Sequence, residues 1–210
     1  MLALLHTSPV HVPVFDALRD EDHPGLTLLH LVDEDLLARA REEGPEAVAP
    51  AVAAVLAGAV AEGAAAVLVT CSTIGGVAEA CAADLGVVVL RADRPMAAAA
   101  AAANRIVVVA ALRSTLEPTV ALIREEAAGR AVDVRTLLVD GGWERFEAGD
   151  RDGYLDAVAA AVDGVPATDV IVLAQASMAD AADRTTTAVP VLSSPRSGLR
   201  AAALATTYGS

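Results

Sequence analysis

Two segments of this chain share a pattern, and only one of them carries a reactive atom. Val67-Leu68-Val69-Thr70-Cys71-Ser72-Thr73-Ile74-Gly75-Gly76 reads as a buried strand, a sharp turn and a helix start. Val170-Ile171-Val172-Leu173-Ala174-Gln175-Ala176-Ser177-Met178-Ala179 reads the same way. Cys71 and Gln175 hold equivalent positions, 104 residues apart. A thiol at the carboxyl end of a strand, just ahead of a helix, meets free backbone N–H groups and the positive end of the helix dipole. Both favour the thiolate. The counterpart is a neutral amide, which cannot titrate. Cys71 is therefore the candidate acid–base or nucleophilic group, and Gln175 marks the matching position in the second half. Cys81 falls in mid-helix, in Glu79-Ala80-Cys81-Ala82, and reads as a buried structural thiol.

Hydroxyl side chains gather where strands end: Thr7, Ser8, Ser72, Thr73, Ser114, Thr115 and Ser177. With backbone N–H groups they can hold a small carboxylate without any cationic side chain. The same residue types at the same places also cap helices, and the two roles are compatible. His6 ends the first strand, where an imidazole either relays protons or packs in the core. Asp93 reads as the cap of the helix that follows it. Ser193-Ser194-Pro195-Arg196 reads either as cleft lining or as a turn and cap. Trp143 and Phe146 read as a surface anchor between lobes rather than a cover over a cleft.

Composition removes several classes of chemistry. The chain has 210 residues, enough for one large domain or two small ones. All 15 basic residues are Arg. Without Lys there is no Schiff base with pyridoxal phosphate and no GxxxxGK[ST] phosphate loop. No GxGxxG follows a strand, and no HExxH is present; the four His (6, 11, 23, 30) lack metal-ligand spacing. No cofactor and no metal are expected. The formal net charge of −13 disfavours nucleic acid as a partner, which needs a basic stripe. No apolar run approaches the ~18–20 residues of a membrane span. The start of the chain reads as a first strand rather than a signal peptide, and two cysteines ten positions apart make no disulfide framework. The expected setting is cytoplasmic, the expected partner a small anionic carboxylate, and homo-oligomerisation is left open.

The elements that must position these residues alternate regularly. Strands are expected at 2–5, 26–31, 66–70, 87–90, 106–111, 132–138, 169–173 and 189–192. Most are continuous apolar runs, as in strands covered on both faces. Helices are expected at 13–19, 45–62, 74–85, 94–103, 115–128, 153–162, 178–184 and 198–206. Hydrophobic residues make up 55% of the chain but aromatics only 2%, so Ala, Val and Leu must build the core. The alternation predicts an α/β fold with mainly parallel sheets. The halves also repeat: 4–8 finds an echo in 110–114, Pro13 in Pro118, and 31–33 in 138–140. Two pseudo-symmetric three-layer αβα lobes follow, 1–97 plus 196–210 and 98–195. Ligands of open α/β sheets bind at the carboxyl ends of strands. That rule expects the active site in a cleft between the lobes, with Cys71 and Gln175 facing each other.

These residues resemble the Asp/Glu/hydantoin racemase superfamily over nearly the whole length. The resemblance rests on Val69-Thr70-Cys71-Ser72-Thr73 with Ile74-Gly75-Gly76, on Arg91-Ala92-Asp93-Arg94-Pro95-Met96, and on Leu173-Ala174-Gln175-Ala176-Ser177-Met178-Ala179. The last is similar to the family's Leu-Gly-Cys-Ala-Gly-Met segment, with Gln in place of its second Cys. The resemblance implies cofactor-independent chemistry beside a carboxylate or carbonyl. One cysteine removes a proton and a second, on the opposite face, returns one. Family members with a single cysteine reprotonate one face, as in decarboxylation. The family's Cys-Asn-Thr is Cys71-Ser72-Thr73 here. The reading that follows is a single-thiol enzyme acting on a small carboxylate or carbonyl compound, as a racemase, isomerase or decarboxylase. A non-catalytic carboxylate-binding protein and a hydrolase with Cys71 as nucleophile are the alternatives.

Overall fold

A computed structural model describes residues 1–208. In chain order the elements are β1 (Leu2–His6), α1 (His11–Asp22), β2 (Leu28–Val32), α2 (Glu34–Glu43), α3 (Ala49–Ala61), β3 (Ala66–Val69), α4 (Ser72–Ala80), α5 (Ala82–Leu85) and β4 (Val88–Arg91). Then follow α6 (Arg94–Ala101), β5 (Arg105–Ala110), α7 (Leu116–Glu126), β6 (Asp133–Leu138), α8 (Gly142–Glu147), α9 (Arg151–Asp163), β7 (Val170–Leu173), β8 (Val191–Leu192) and α10 (Pro195–Tyr208). Short 3₁₀ segments span Pro45–Val48, Arg113–Thr115 and Ala176–Arg184. The chain divides into two compact units. One is Met1–Arg94 with the segment from Pro195; the other is Pro95–Ser194.

In the first unit the sheet order is β2-β1-β3-β4, all parallel. Side chains alternate across the sheet, so each strand serves two cores. Ala3, Leu5, Val67 and Val69 pack with Leu36 of α2, Val52 and Leu56 of α3, and Ile74 of α4. Leu2, Leu4, Ala66 and Leu68 pack with Phe15 of α1 and with Leu199 and Ala202 of α10. The second unit repeats the plan, with sheet order β6-β5-β7-β8. One face packs on Tyr154, Leu155 and Val158 of α9; the other packs on Met96 and Ala97 of α6 and Leu122 of α7. Each unit is three layers, helix–sheet–helix.

Strand register makes the repeat quantitative. Leu5 pairs with Val69 in the first sheet, and Val109 pairs with Leu173 in the second. Both members are displaced by 104 residues. The ladder continues as Thr70 N–H to Leu5 O at 3.0 Å and Ala174 N–H to Val109 O at 2.9 Å. The echo of 4–8 in 110–114 is therefore out of register by two. Thr7 and Ser8 correspond to Ala111 and Leu112, and Ser114 is not the counterpart of Ser8.

All eight expected strands form, β8 being shorter. Several helices differ. α2 was not expected, because its ten residues carry six charged groups and only Leu36 and Ala40 are buried. Asp33 starts it by accepting from Leu36 N–H at 3.3 Å. The six-residue α8 is too short to show a period. The helix expected at 74–85 starts at Ser72 and breaks at Cys81, where the backbone tightens to i→i+3 bonds, Cys81 N–H to Ala78 O and Asp84 N–H to Cys81 O. Residues 176–184 form a 3₁₀ rather than an α-helix, a difference that apolar spacing cannot report over nine residues. The segment expected to start at 198 begins its helix at Pro195, a residue suited to a first turn.

Candidate functional site

In the first unit the chemistry collects at the carboxyl ends of β1, β3 and β4. β3 stops at Val69, and Cys71 takes the N-cap position of α4 with extended backbone (φ −107°, ψ 117°). Its thiol is free and half-buried. Ser72 and Thr73 form the first turn of α4 and are buried. Thr7 is buried and Ser8 half-buried in the turn after β1.

Behind Cys71 runs a buried hydrogen-bond chain. The Thr70 hydroxyl donates to Leu5 O at 3.1 Å, so it accepts from His6 Nδ1 at 2.8 Å. That fixes the His6 tautomer: Nδ1 carries the proton and Nε2 accepts. The donor to Nε2 is His30 Nδ1, at 2.8 Å. His30 Nε2 faces Asp16 Oδ1 at 3.4 Å. His6 is fully buried beside His11 and Phe15. Burial, with His11 and His30 adding, pushes its pKa down to about 3. Burial alone pushes His11 to about 4. His6 is thus a neutral ring tying β1 to β3 directly before Cys71.

Asp93 binds Arg91 through two oxygens, at 2.9 and 2.8 Å, and both side chains are buried. The same guanidinium reaches Ser72 O at 3.4 Å. It also lies against Gly75, where a Cβ would sit 2.7 Å from Arg91 Nε. Asp93, which directly precedes α6, holds a buried cation under the first turns of α4. Arg94 pairs with Glu79 of α4 at 2.6 Å. Arg196, at the start of α10, pairs with Glu21 and Asp22 of α1 and so fastens α10 to the first unit. Ser194 is buried.

In the second unit Gln175 has the backbone of Cys71 (φ −119°, ψ 138°) and precedes the 3₁₀ segment 176–184. Its Oε1 accepts from Ala111 N–H at 2.7 Å and Leu112 N–H at 3.0 Å. Two donors fix the amide orientation, so Nε2 points away from them. Thr115 is buried, and its carbonyl accepts from the Thr119 hydroxyl at 2.8 Å. Ser114 Oγ is shielded from solvent and has no hydrogen-bond partner among the described residues. Ser177 is bonded to the Tyr154 hydroxyl at 2.8 Å. Burial pushes Tyr154 up to about 12, only partly offset by that bond. Trp143 stacks on Phe146 with centroids 4.8 Å apart, and Phe146 meets Tyr154 at a tilt, with centroids 5.4 Å apart.

Cys81 is the other thiol. Its Sγ donates to Val77 O at 3.3 Å, and burial, with Asp84 adding, pushes its pKa up.

Within each unit, then, the sequence candidates gather at strand ends: Thr7, Ser8, Cys71, Ser72 and Thr73 in one, Ser114, Thr115, Gln175 and Ser177 in the other. Sequence reasoning missed His30, Arg91 and Tyr154. His30 lies inside the strand expected at 26–31, which pairs with β1, and Arg91 directly follows the one expected at 87–90, which pairs with Cys71's own strand; that was the signal available. Among the described residues no group of three or more His, Cys, Asp or Glu is placed to hold a metal. No described helix is long and apolar enough to cross a membrane.

Comparison with known proteins agrees with this architecture. A search of curated proteins gives no significant match. Among solved structures, aspartate racemase from Picrophilus torridus matches with TM-score 0.75 and 12% identity, covering 98% of this chain and 94% of its own. Glutamate racemase from Thermus thermophilus, in complex with β-chloro-D-alanine, matches with TM-score 0.75 and 20% identity, over 99% and 80%. Unliganded arylmalonate decarboxylase matches with TM-score 0.64 and 20% identity, over 100% and 93%. The sequence model of the Asp/Glu/hydantoin racemase family matches residues 12–202. The chain belongs to the Asp/Glu/hydantoin racemase family.

Proposed function

We propose that this protein is a cofactor-independent proton-transfer enzyme that acts on a small carboxylate or carbonyl compound through the single thiol of Cys71. The observation that carries the reading is the state of Gln175. At the position of a second acid–base group stands an amide whose oxygen is already held by two backbone N–H groups. It does not titrate near neutral pH and so is no acid or base. Cys71 accepts the α-proton of the substrate, and the electron pair moves onto the neighbouring carbonyl or carboxylate oxygen. Backbone N–H groups and the hydroxyls of Ser72 and Thr73 stabilise that charge. The thiol exchanges its proton with solvent and then returns one from the same sulfur to the same face. In the decarboxylating variant, loss of CO₂ generates the same enolate and Cys71 protonates it. Support comes from a family whose structural neighbours include aspartate and glutamate racemases and a decarboxylase.

The test is α-deuterium uptake against optical rotation in D₂O, over a panel of small carboxylates. Exchange with retention, or decarboxylation to one product hand, is the expected result, and Cys71→Ser removes it. Racemisation as fast as exchange would mean that another residue supplies the second base.

A further inference from the structure

The internal repeat places two copies of one backbone feature in the molecule, and only one copy is satisfied from within. In the second unit, the turn after β5 points the N–H groups of Ala111 and Leu112 at Gln175 Oε1, at 2.7 and 3.0 Å. In the first unit the corresponding residues are Thr7 and Ser8, by the 104-residue displacement that relates Leu5 to Val109 and Val69 to Leu173. Cys71 stands where Gln175 stands, with matching backbone angles. Its side chain ends at sulfur and offers no carbonyl oxygen to the turn. The N–H groups of Thr7 and Ser8 make no hydrogen bond among the described residues. Thr7 is buried and Ser8 half-buried. Backbone donors in such places are almost always paired, because leaving one unpaired forfeits its hydration without return.

We propose that the backbone N–H groups of Thr7 and Ser8 hold an oxygen of the ligand, a carboxylate oxygen by preference, in the way Ala111 and Leu112 hold the amide oxygen of Gln175. Gln175 is a built-in copy of the ligand, bound at the site's twin. A carboxylate suits the pair better than a neutral carbonyl, because charge-assisted hydrogen bonds are roughly twice as strong. The molecule therefore has one oxyanion-binding turn rather than two, and it is the one beside the thiol. This inference rests on the reading of the strand ends as a small-carboxylate site. It adds the atoms that do the binding, and it makes no demand on turnover.

The experiment is a titration of ¹⁵N-labelled protein with sodium acetate at constant ionic strength, read by amide ¹H–¹⁵N shifts. The Thr7 and Ser8 amide protons move downfield and saturate, while Ala111 and Leu112 stay put. In Gln175→Ala, which frees the second pair, Ala111 and Leu112 become responsive as well. Cys71→Ser keeps the Thr7 and Ser8 response, because sulfur is not a ligand of the oxygen. Silent Thr7 and Ser8 amides in the unmodified protein overturn the proposal, as does a response centred elsewhere. So does a Gln175→Ala protein that keeps its melting temperature but shows no new response at Ala111 and Leu112. Amide shifts without any catalysed exchange would leave this inference standing and sink the enzymatic reading. Catalysed exchange with silent amides would do the reverse.

Discussion

Cys71 and Cys81 show how little a residue type says without its place. Both are free and half-buried. Cys71 caps a nine-residue helix at the end of β3, with backbone donors ahead of it. Cys81 sits at a helix break, donates to Val77 O and has its pKa raised by burial and by Asp84. Iodoacetamide near pH 7.5 is therefore expected to label Cys71 several-fold faster, since reactivity follows thiolate fraction and access. Peptide mapping after partial labelling checks it. Equal labelling, or faster labelling of Cys81, would remove the case for Cys71 as the reacting group. The place of Cys71 was legible because a strand-turn-helix pattern is local; Cys81, expected buried in mid-helix, is half-buried at a helix break. What Gln175 does was not. Its binding of Ala111 and Leu112 N–H crosses about 63 residues, a distance over which sequence pattern is silent. The partnership of His6 with Thr70 and His30, and that of Arg91 with Asp93, were hidden for a related reason. The His6 contacts depend on which strands become neighbours, whereas Arg91 and Asp93 are only two residues apart and needed the turn after β4 to fold back.

At the scale of elements, strands were read well and helices less so. Strands buried on both faces are near-continuous apolar runs, which stand out from their surroundings. α2 hid behind its charges, and α8 behind its length. The seating of α10 depends on one glycine. A Cβ on Gly198 would lie 2.5 Å from Ala92 O and 2.6 Å from Ala92 Cα. Both are backbone atoms of the turn after β4 and cannot rotate aside. Gly198→Ala gains about 1 kcal/mol of helix propensity. Overpacking against fixed backbone costs about 1–3 kcal/mol and also lifts Leu199 and Ala202 off their buried contacts. The cost wins, and the variant is expected to unfold at a lower urea midpoint with an unchanged slope. A midpoint equal to or above the parent's would show that α10 is not seated as described. By contrast, Gly75 meets only the Arg91 side chain, although that side chain is pinned by Asp93.

For the whole molecule, composition and repeat carried most of the architecture. Alternating elements implied α/β, and similar offsets in one order implied two similar halves. The exact register did not follow, because echoes between Ala- and Leu-rich segments tolerate a slip of two residues. For β1 against β5, only the strand pairing settles the displacement at the 104 residues that already separate Cys71 and Gln175. Global stability carries a further signature of the first unit. His6 and His11 are buried and neutral, with pKa lowered to about 3 and about 4 from an ordinary 6.5. Above pH 6.5 neither ring is charged in the folded or the unfolded chain, and they contribute no pH dependence. Below 6.5 the unfolded chain takes up protons that the folded chain refuses, so stability falls as pH falls. The loss continues until the folded pKa values are reached. Each ring contributes about 1.4 kcal/mol per pH unit in that window. Two rings predict a loss of about 2–3 kcal/mol between pH 7.5 and 5.5. The carboxylates do not compete there. Asp152, Asp163 and Asp169 have pKa values held down by Arg184, by Thr186 and by Arg105, so their stabilising share is lost only at more acid pH. Urea unfolding across pH 5.5 to 7.5 measures the slope. In His11→Gln the slope should fall by about one proton, even if the variant is less stable at pH 7.5. A flat profile in the unmodified protein would mean that His6 and His11 accept protons while folded, and the hydrogen-bond chain from Asp16 to Thr70 would then carry charge at its buried centre.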